Sequence, residues 1–410
     1  MRRRVVVTGV GVLSPLGDSP AALHAALCEG ARAGASHLLP VEGFAVEGLP
    51  MGRAVELRGF DPARYLGEGN FRPLDRTGLL AACAARLALD DAGWSGDAVA
   101  TGEVALLVGT MYGSLRTIAE FDRRGLEAGP LYVKPFDFAN SVINAAAGQT
   151  AIWHHLRGPN STVCAGTASG VQAIALGADL VAEGRVEVAV AGGAEELCWE
   201  SFLAFSRAGM VANGDGTPRP FDAQRSGFAL GEGAAFLVLE SAEGAAARGA
   251  HVLAEVLGHG AAFDPSQGTD EKSSAAAVAR AVKLALAHAG LQAEDVSAVS
   301  AAASGHRHAD AAEARGLAAA LGMSVASVGV TAPKGALGEC LGASGGLQAA
   351  ALVAAMEAGE LPGTAGFTAG APGFPLWSIS NATTPVDLAV GLVDGVGLDG
   401  PCCALLLGRS

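Results

Sequence analysis

Two stretches of this 410-residue chain are nearly interchangeable. Residues 168–184 read ASGVQAIALGADLVAEG and residues 343–359 read ASGGLQAAALVAAMEAG. Both open on Ala-Ser-Gly, both close on Gly, and charge is confined to the last third of each. A helix that is apolar all round has to be buried all round. Two such helices of equal length need two equivalent surroundings, and the economical source of those is a duplicated α/β unit. The chain is therefore expected to fold as two similar halves with two equivalent central helices.

The flanking sequence carries the same message. RVVVTG (4–9), EVALLVG (103–109), VEVAVAGG (186–193) and AAFLVLE (234–240) read as strands, and residues 75–93 read as a helix. The second half follows with a helix over 274–289, a strand over 296–302, a helix over 309–321 and a strand near 325–331. Short β-branched runs between alanine-rich helices indicate sheets buried between helical layers. The length exceeds the roughly 250–300 residues at which one core stops growing. Halves spanning 1–245 and 246–410 are expected, with the crossing inside SAEGAAARGA (241–250), itself helical.

Bulk properties exclude several classes. A net charge of −14 disfavours nucleic acid or an anionic membrane as a partner, since both need concentrated Lys and Arg. The basic start MRRRVVV is broken by Thr8, Gly9, Gly11 and Pro15, which favours a first strand over a signal peptide. The uncharged windows 161–178 and 341–356 contain Gly, Ser and Gln and read as helices of a soluble core. Seven cysteines without regular spacing fit a reducing compartment, so the cytoplasm is expected. GVGVLSPLG lacks the third glycine of a dinucleotide turn, which argues against a nucleotide cofactor. His306, His308 and Asp310 have metal-like spacing but no second ligand cluster, and no metal is expected. His154 and His155 read as helix-end or interface residues.

NSTVCAGTASG (160–170) is a strand running into the first duplicated helix, the kind of elbow that presents a nucleophile. Cys164 is the better nucleophile by chemistry, whereas Thr167 stands nearer the helix start. An isolated Cys on a buried strand reads as a small hydrophobe.

RRVVVTGVGVLSPLG, LRGPNSTVCAGTASGVQAIALGADLV, VAVAGGAEE, RPFDAQRSGFALGEGAAFLVLE, KGALGECLGASGG and GVGLDGPCCALLL together resemble the β-ketoacyl-carrier-protein synthases, or ketosynthases, across nearly the whole chain. The resemblance implies a thiolase-like α/β fold with two similar halves stacked as α-β-α-β-α layers, each half with a mixed five-stranded sheet. Ketosynthases use a Cys at the N-terminus of the first buried helix and two His that assist malonyl decarboxylation. Laid on this sequence, the nucleophile position is Thr167 and the two His positions are Ala302 and Glu339. Lys334, Glu313 and Asp310 match retained family residues, and a buried ionic network holding the remodelled site is expected of Lys334 and Glu313. Arg219, Asp222 and Arg225 are expected to form charged pairs.

A hydroxyl nucleophile needs an adjacent base, and Glu339 would put negative charge beside a developing enolate. Loss of the nucleophile from a coupled set can cost on the order of 10⁶ in rate. The resemblance therefore points to the chain length factors, the non-catalytic β subunits of type II polyketide synthases. These pair with an active ketosynthase as a heterodimer, meet the acyl carrier protein through that complex and shape its acyl channel without a cofactor. Ser114, Thr117 and Phe121 fall at the gating positions of the group's channel segment, Leu398 falls at the position of a second gate, and residues 136–160 form the expected interface. The competing reading is an autonomous acyltransferase or decarboxylase that acts on acyl-carrier-protein thioesters through Thr167 or Cys164.

Overall fold

The computed structural model describes residues 2–34, 37–94, 103–371, 374–375 and 378–410. Ten strands carry the architecture: β1 (Val5–Leu13), β2 (Ala105–Gly109), β3 (Asn160–Val163), β4 (Val188–Glu195), β5 (Gly233–Ser241), β6 (Ala254–Phe263), β7 (Ala298–Ser300), β8 (Gly329–Thr331), β9 (Val390–Val396) and β10 (Pro401–Arg409). The principal helices are α1 (Pro20–Ala33), α2 (Arg76–Asp91), α3 (Leu115–Ala128), α4 (Ala145–Trp153), α5 (Ser169–Ala182), α6 (Trp199–Arg207), α7 (Glu271–Ala289), α8 (Arg307–Leu321) and α9 (Ser344–Ala358).

The strands run in the order β8-β7-β9-β10-β6-β1-β5-β4-β2-β3. Reading outwards from the centre, β1-β5-β4-β2-β3 and β6-β10-β9-β7-β8 are the same path. Pairing directions repeat as well: β1 with β5 and β5 with β4 are antiparallel, β4 with β2 and β2 with β3 parallel. In the second set β6 with β10 and β10 with β9 are antiparallel, β9 with β7 and β7 with β8 parallel. Two mixed five-stranded sheets thus arise from one repeated topology. They meet through β1 and β6, where Val5, Val6 and Val7 pair with Val256, Glu255 and Ala254.

Both duplicated helices lie between the sheets. Helix α5 touches β2 and β4 on one side and β9 and β10 on the other, and α9 touches β4 and β5 as well as β9. That placement explains their composition: Ala, Gly and Leu residues of α9 are buried from Ser344 to Met356. The outer layers are α2 against β1, β4 and β5, and α7 against β6 and β10 with α8 packed beside α7. The closing glycines of the repeated stretches are left-handed helix stops, Gly184 at φ 69° and Gly359 at φ 70°, a conformation glycine adopts without Cβ strain. The opening glycines answer a different need, because a Cβ on Gly170 would come 2.7 Å from Gly346 N, where the two helix starts cross.

Strand boundaries are shorter than the apolar runs where loops take over: β7 covers only Ala298–Ser300, and residues 322–326 form a 3₁₀ turn before β8. Among the described residues no helix is long and apolar enough to cross a membrane.

Candidate functional site

The site is built at the junction of the halves, where the C-terminal end of β9 forms one wall. Each residue expected at a catalytic position is tied to that wall or to its own neighbourhood. Thr167, 2% exposed, precedes α5 by two residues, and its hydroxyl donates to the Val396 carbonyl at 2.7 Å. No imidazole or carboxylate partners this hydroxyl among the described residues, so nothing here draws off its proton. Ala302 presents a backbone N–H that donates to Glu313 Oε1 at 2.8 Å and Asp394 Oδ1 at 3.0 Å.

Both oxygens of Glu339 are engaged. Its Oε2 stands 2.8 Å from Lys334 Nζ, while Oε1 accepts from Leu341 N at 3.0 Å and from the Ser344 hydroxyl at 2.7 Å. The expected ionic network is therefore divided differently from the sequence reading. Lys334 pairs with Glu339, which the resemblance lays on a His position, and Glu313 instead faces Asp394. Burial, then the charge of Asp394, hold Glu313 well above the usual carboxylate range, and burial pushes Asp394 up to about 6. Two adjacent carboxyls without a full counter-ion keep a proton between them.

Asp310 faces inward and accepts from Phe221 N at 2.8 Å, Ser304 N at 3.2 Å and Gly305 N at 3.1 Å, with burial raising it to about 6. It is thus not presented towards a metal with His306 and His308, and His306 instead caps α8 by accepting from Ala309 N. Arg219, Asp222 and Arg225 do not form the expected pairs. The Asp222 carboxylate gathers Thr368 N, Thr368 Oγ1, Ala369 N and Gln224 N, whereas Arg219 reaches Asp215 and Arg225 donates to backbone carbonyls of Asp222 and Arg307. His154 is a buried helix-end residue whose ring contacts Ala82 O at 2.8 Å.

Cys164 lies one residue beyond β3 and is exposed, not buried in a strand as its surroundings in sequence imply. Its thiol donates to Met111 O at 3.4 Å. Partial burial, then the charges of Glu195 and Asp399, push the thiol up. A nucleophilic cysteine requires the reverse.

The expected gating residues divide into two groups. Ser114 is the N-cap position of α3 and is 1% exposed; Thr117 Oγ1 stands 3.5 Å from Asp75 Oδ2. Phe121, half-buried, meets Phe138 at a ring separation of 6.0 Å. Leu398 lies elsewhere, lining a cavity of about 240 Å³ with Met210, His306, His308, Val396 and Cys402.

Three acids that the sequence reading passed over anchor this region. Glu195 accepts from Met111 N at 2.5 Å, Tyr112 N at 3.0 Å, Gly342 N at 3.1 Å and Thr110 Oγ1 at 3.1 Å, and burial raises it to about 7. Glu196 accepts from Arg116 N at 3.0 Å; burial, then the charge of Asp75, raise it to about 8. Asp75 caps α2 through Gly78 N at 2.8 Å and is also raised by burial. Paired acids closing the apolar run VAVAGGAEE were the available signal, since charge at the end of a buried strand must find donors.

Family comparisons agree with this architecture. The profile "Beta-ketoacyl synthase, N-terminal domain" matches residues 2–245, and "Beta-ketoacyl synthase, C-terminal domain" matches residues 253–368. The chain belongs to the β-ketoacyl synthase family. Among curated relatives, the 3-oxoacyl-[acyl-carrier-protein] synthase 2 of Rhizobium meliloti (strain 1021) is 32% identical, with 99% of each chain covered. Among solved structures, the ishigamide ketosynthase/chain length factor is 33% identical with a TM-score of 0.92, and a β-ketoacyl synthase from Burkholderia phymatum STM815 is 28% identical with a TM-score of 0.90. Both superpositions cover 100% of each chain. Within this ketosynthase family the thiolase-like arrangement of two similar halves holds throughout the chain.

Proposed function

We propose that this family member is a non-catalytic subunit, a chain length factor, which pairs with an active ketosynthase and helps to shape an acyl channel that sets polyketide chain length. The observation that carries the reading is the state of Glu339. A carboxylate bound by Lys334, Leu341 N and Ser344, which the resemblance lays on a His position, is committed to the fold and repels the enolate that condensation develops. Thr167 without a base and Ala302 without an imidazole agree with it.

Overall similarity does not separate the two readings, because a relative named as a synthase and a structure named as a ketosynthase/chain length factor match at 32% and 33% identity. The local chemistry favours the non-catalytic one. The autonomous acyltransferase reading needs Thr167 or Cys164 to be activated, and a hydroxyl donating to a carbonyl and a thiol with a raised pKa are both poorly suited to that.

A partner is supported by what the isolated chain leaves uncovered. Helix α3 has no buried residue, and Leu126, Leu131, Tyr132, Phe136, Phe138 and Ile152 are between 65% and 94% exposed. Among the described residues strand β3 ends the sheet order and pairs with β2 alone. An unpaired edge beside a large apolar surface is suited to continuing the sheet into a second subunit. The acyl carrier protein would be met through that complex.

The deciding experiment is co-purification with an active ketosynthase, followed by product analysis with carrier-protein thioesters. A one-to-one complex, whose products change in length when Phe121→Ala enlarges the channel wall, supports the proposal. Condensation by the chain alone, or an acyl adduct lost in Thr167→Ala or Cys164→Ala, overturns it.

A further inference from the structure

A second grouping of reactive side chains lies away from Thr167, Ala302 and Glu339, where α1 packs against the end of α9. His24 and Cys28 are four residues apart on α1, so they share one helix face, and both are buried at 7% and 5% exposure. Glu360 follows Gly359, the stop of α9. One ligand atom from each of His24, Cys28 and Glu360 lies within 4.8 Å of the others. Cys28 Sγ is 3.8 Å from His24 Nε2 and 4.0 Å from Nδ1.

We propose that His24, Cys28 and Glu360 form a binding site for a zinc-class divalent cation, which clasps α1 to the end of α9. A tetrahedral ion with bonds of about 2.0–2.3 Å holds its ligands about 3.2–3.8 Å apart, so the Cys–His pair needs to close by only a few tenths of an ångström. Sulfur, imidazole nitrogen and carboxylate oxygen together match a borderline-soft ion and suit magnesium or calcium poorly. Thiolate and carboxylate would neutralise the two positive charges, the thiol proton passing to solvent on binding.

Two further contacts fit ligation. His24 Nε2 is 3.2 Å from the Glu360 carbonyl oxygen. Donation there leaves Nδ1 with its lone pair, the second contact by which metal-bound imidazoles are usually oriented. Thr383 stands beside the Cys28 thiol with its hydroxyl buried and directed at the sulfur. A water completes the fourth position, and the Thr383 hydroxyl supports the thiolate from outside.

The test is a Co²⁺ titration of the metal-free full-length chain, followed by competition with Zn²⁺. The expected result is a near-ultraviolet thiolate-to-cobalt band that saturates at one equivalent, is bleached by Zn²⁺ and is lost in Cys28→Ser. Glu360→Gln and His24→Gln should each weaken binding by at least about tenfold, while Cys164→Ala retains it. Absence of the band at one equivalent, or its persistence in Cys28→Ser, overturns the proposal. If Cys28→Ser proves misfolded by circular dichroism, the partly exposed Glu360→Gln decides, and affinity unchanged there overturns the site.

Discussion

Lys334 Nζ lies 2.8 Å from Glu339 Oε2, and each side chain is only 3% exposed. An ammonium buried to that degree depends on the carboxylate it contacts, although Glu313 and Asp394 also feel its charge. Lys334→Met alone leaves Glu339 uncompensated and is expected to cost about 3–5 kcal/mol. The double replacement Lys334→Met with Glu339→Leu should recover most of that, since an apolar pair of similar volume can be neutral or stabilising. Urea unfolding of the two single variants and the double variant measures the coupling; additive losses would show that the pair is not a unit.

Glu196 sets a pH dependence. In the unfolded chain a Glu titrates near 4.3, whereas in the fold burial, then Asp75, hold Glu196 at about 8. Between those values the folded chain keeps a proton that the unfolded chain has lost. This contribution is therefore fully present below about pH 4 and is lost as pH rises through about 8. Glu196→Gln keeps an acceptor for Arg116 N and removes the titration. It should flatten the fall in stability between pH 5 and pH 8, with a gain on the order of 1–3 kcal/mol at pH 8. Denaturation midpoints at the two pH values check this.

Thr167 is expected to act through its hydrogen bond. Thr167→Val strips the Val396 carbonyl of that donor and should cost about 1–2 kcal/mol in unfolding experiments. Product formation by a complex with an active ketosynthase should be unchanged. Thr167→Cys supplies a thiol but no imidazole, so the chain alone should release no CO₂ from malonyl thioesters above background.

The uncovered apolar face predicts where association fails. Ile152, 69% exposed, and Phe136, 68% exposed, contribute little to the monomer core. Ile152→Asp and Phe136→Asp should leave the circular dichroism spectrum and unfolding midpoint nearly unchanged, within about 0.5 kcal/mol. If that face meets the partner, each should weaken co-purification with the ketosynthase by at least about tenfold, because an interface core tolerates a charge poorly.

Close approach of the central helices is equally testable. A Cβ on Gly170 would stand 2.7 Å from Gly346 N and 3.0 Å from Gly342 O, all of it backbone. Gly170→Ala is expected to lower stability by about 1–3 kcal/mol, read as a shifted unfolding midpoint.

The duplicated Ala-Ser-Gly stretches, the strand-helix alternation and the all-apolar strands were legible because burial on every side leaves a one-dimensional trace: no charge, small residues and a glycine stop. The mixed sheets and the two buried helices followed from that trace and the family motifs. Partners of charged groups were not legible in the same way. Lys334 and Glu313 are both present in the sequence, yet Lys334 goes to Glu339 and Glu313 goes to Asp394, which sits in a strand 81 residues further on. Asp222 likewise finds amides around Thr368, not the neighbouring arginines.

By itself, the sequence of this protein determined a duplicated ketosynthase-type fold and the identities Thr167, Ala302 and Glu339. Only the tertiary structure decided that Thr167 donates to Val396, that Glu339 is tied up by Lys334 and Ser344, and that Cys164 is exposed. The reason is physical: hydrophobic burial is a property each residue carries along the chain, whereas a hydrogen bond or ion pair depends on distance and direction between groups that only the folded backbone brings together.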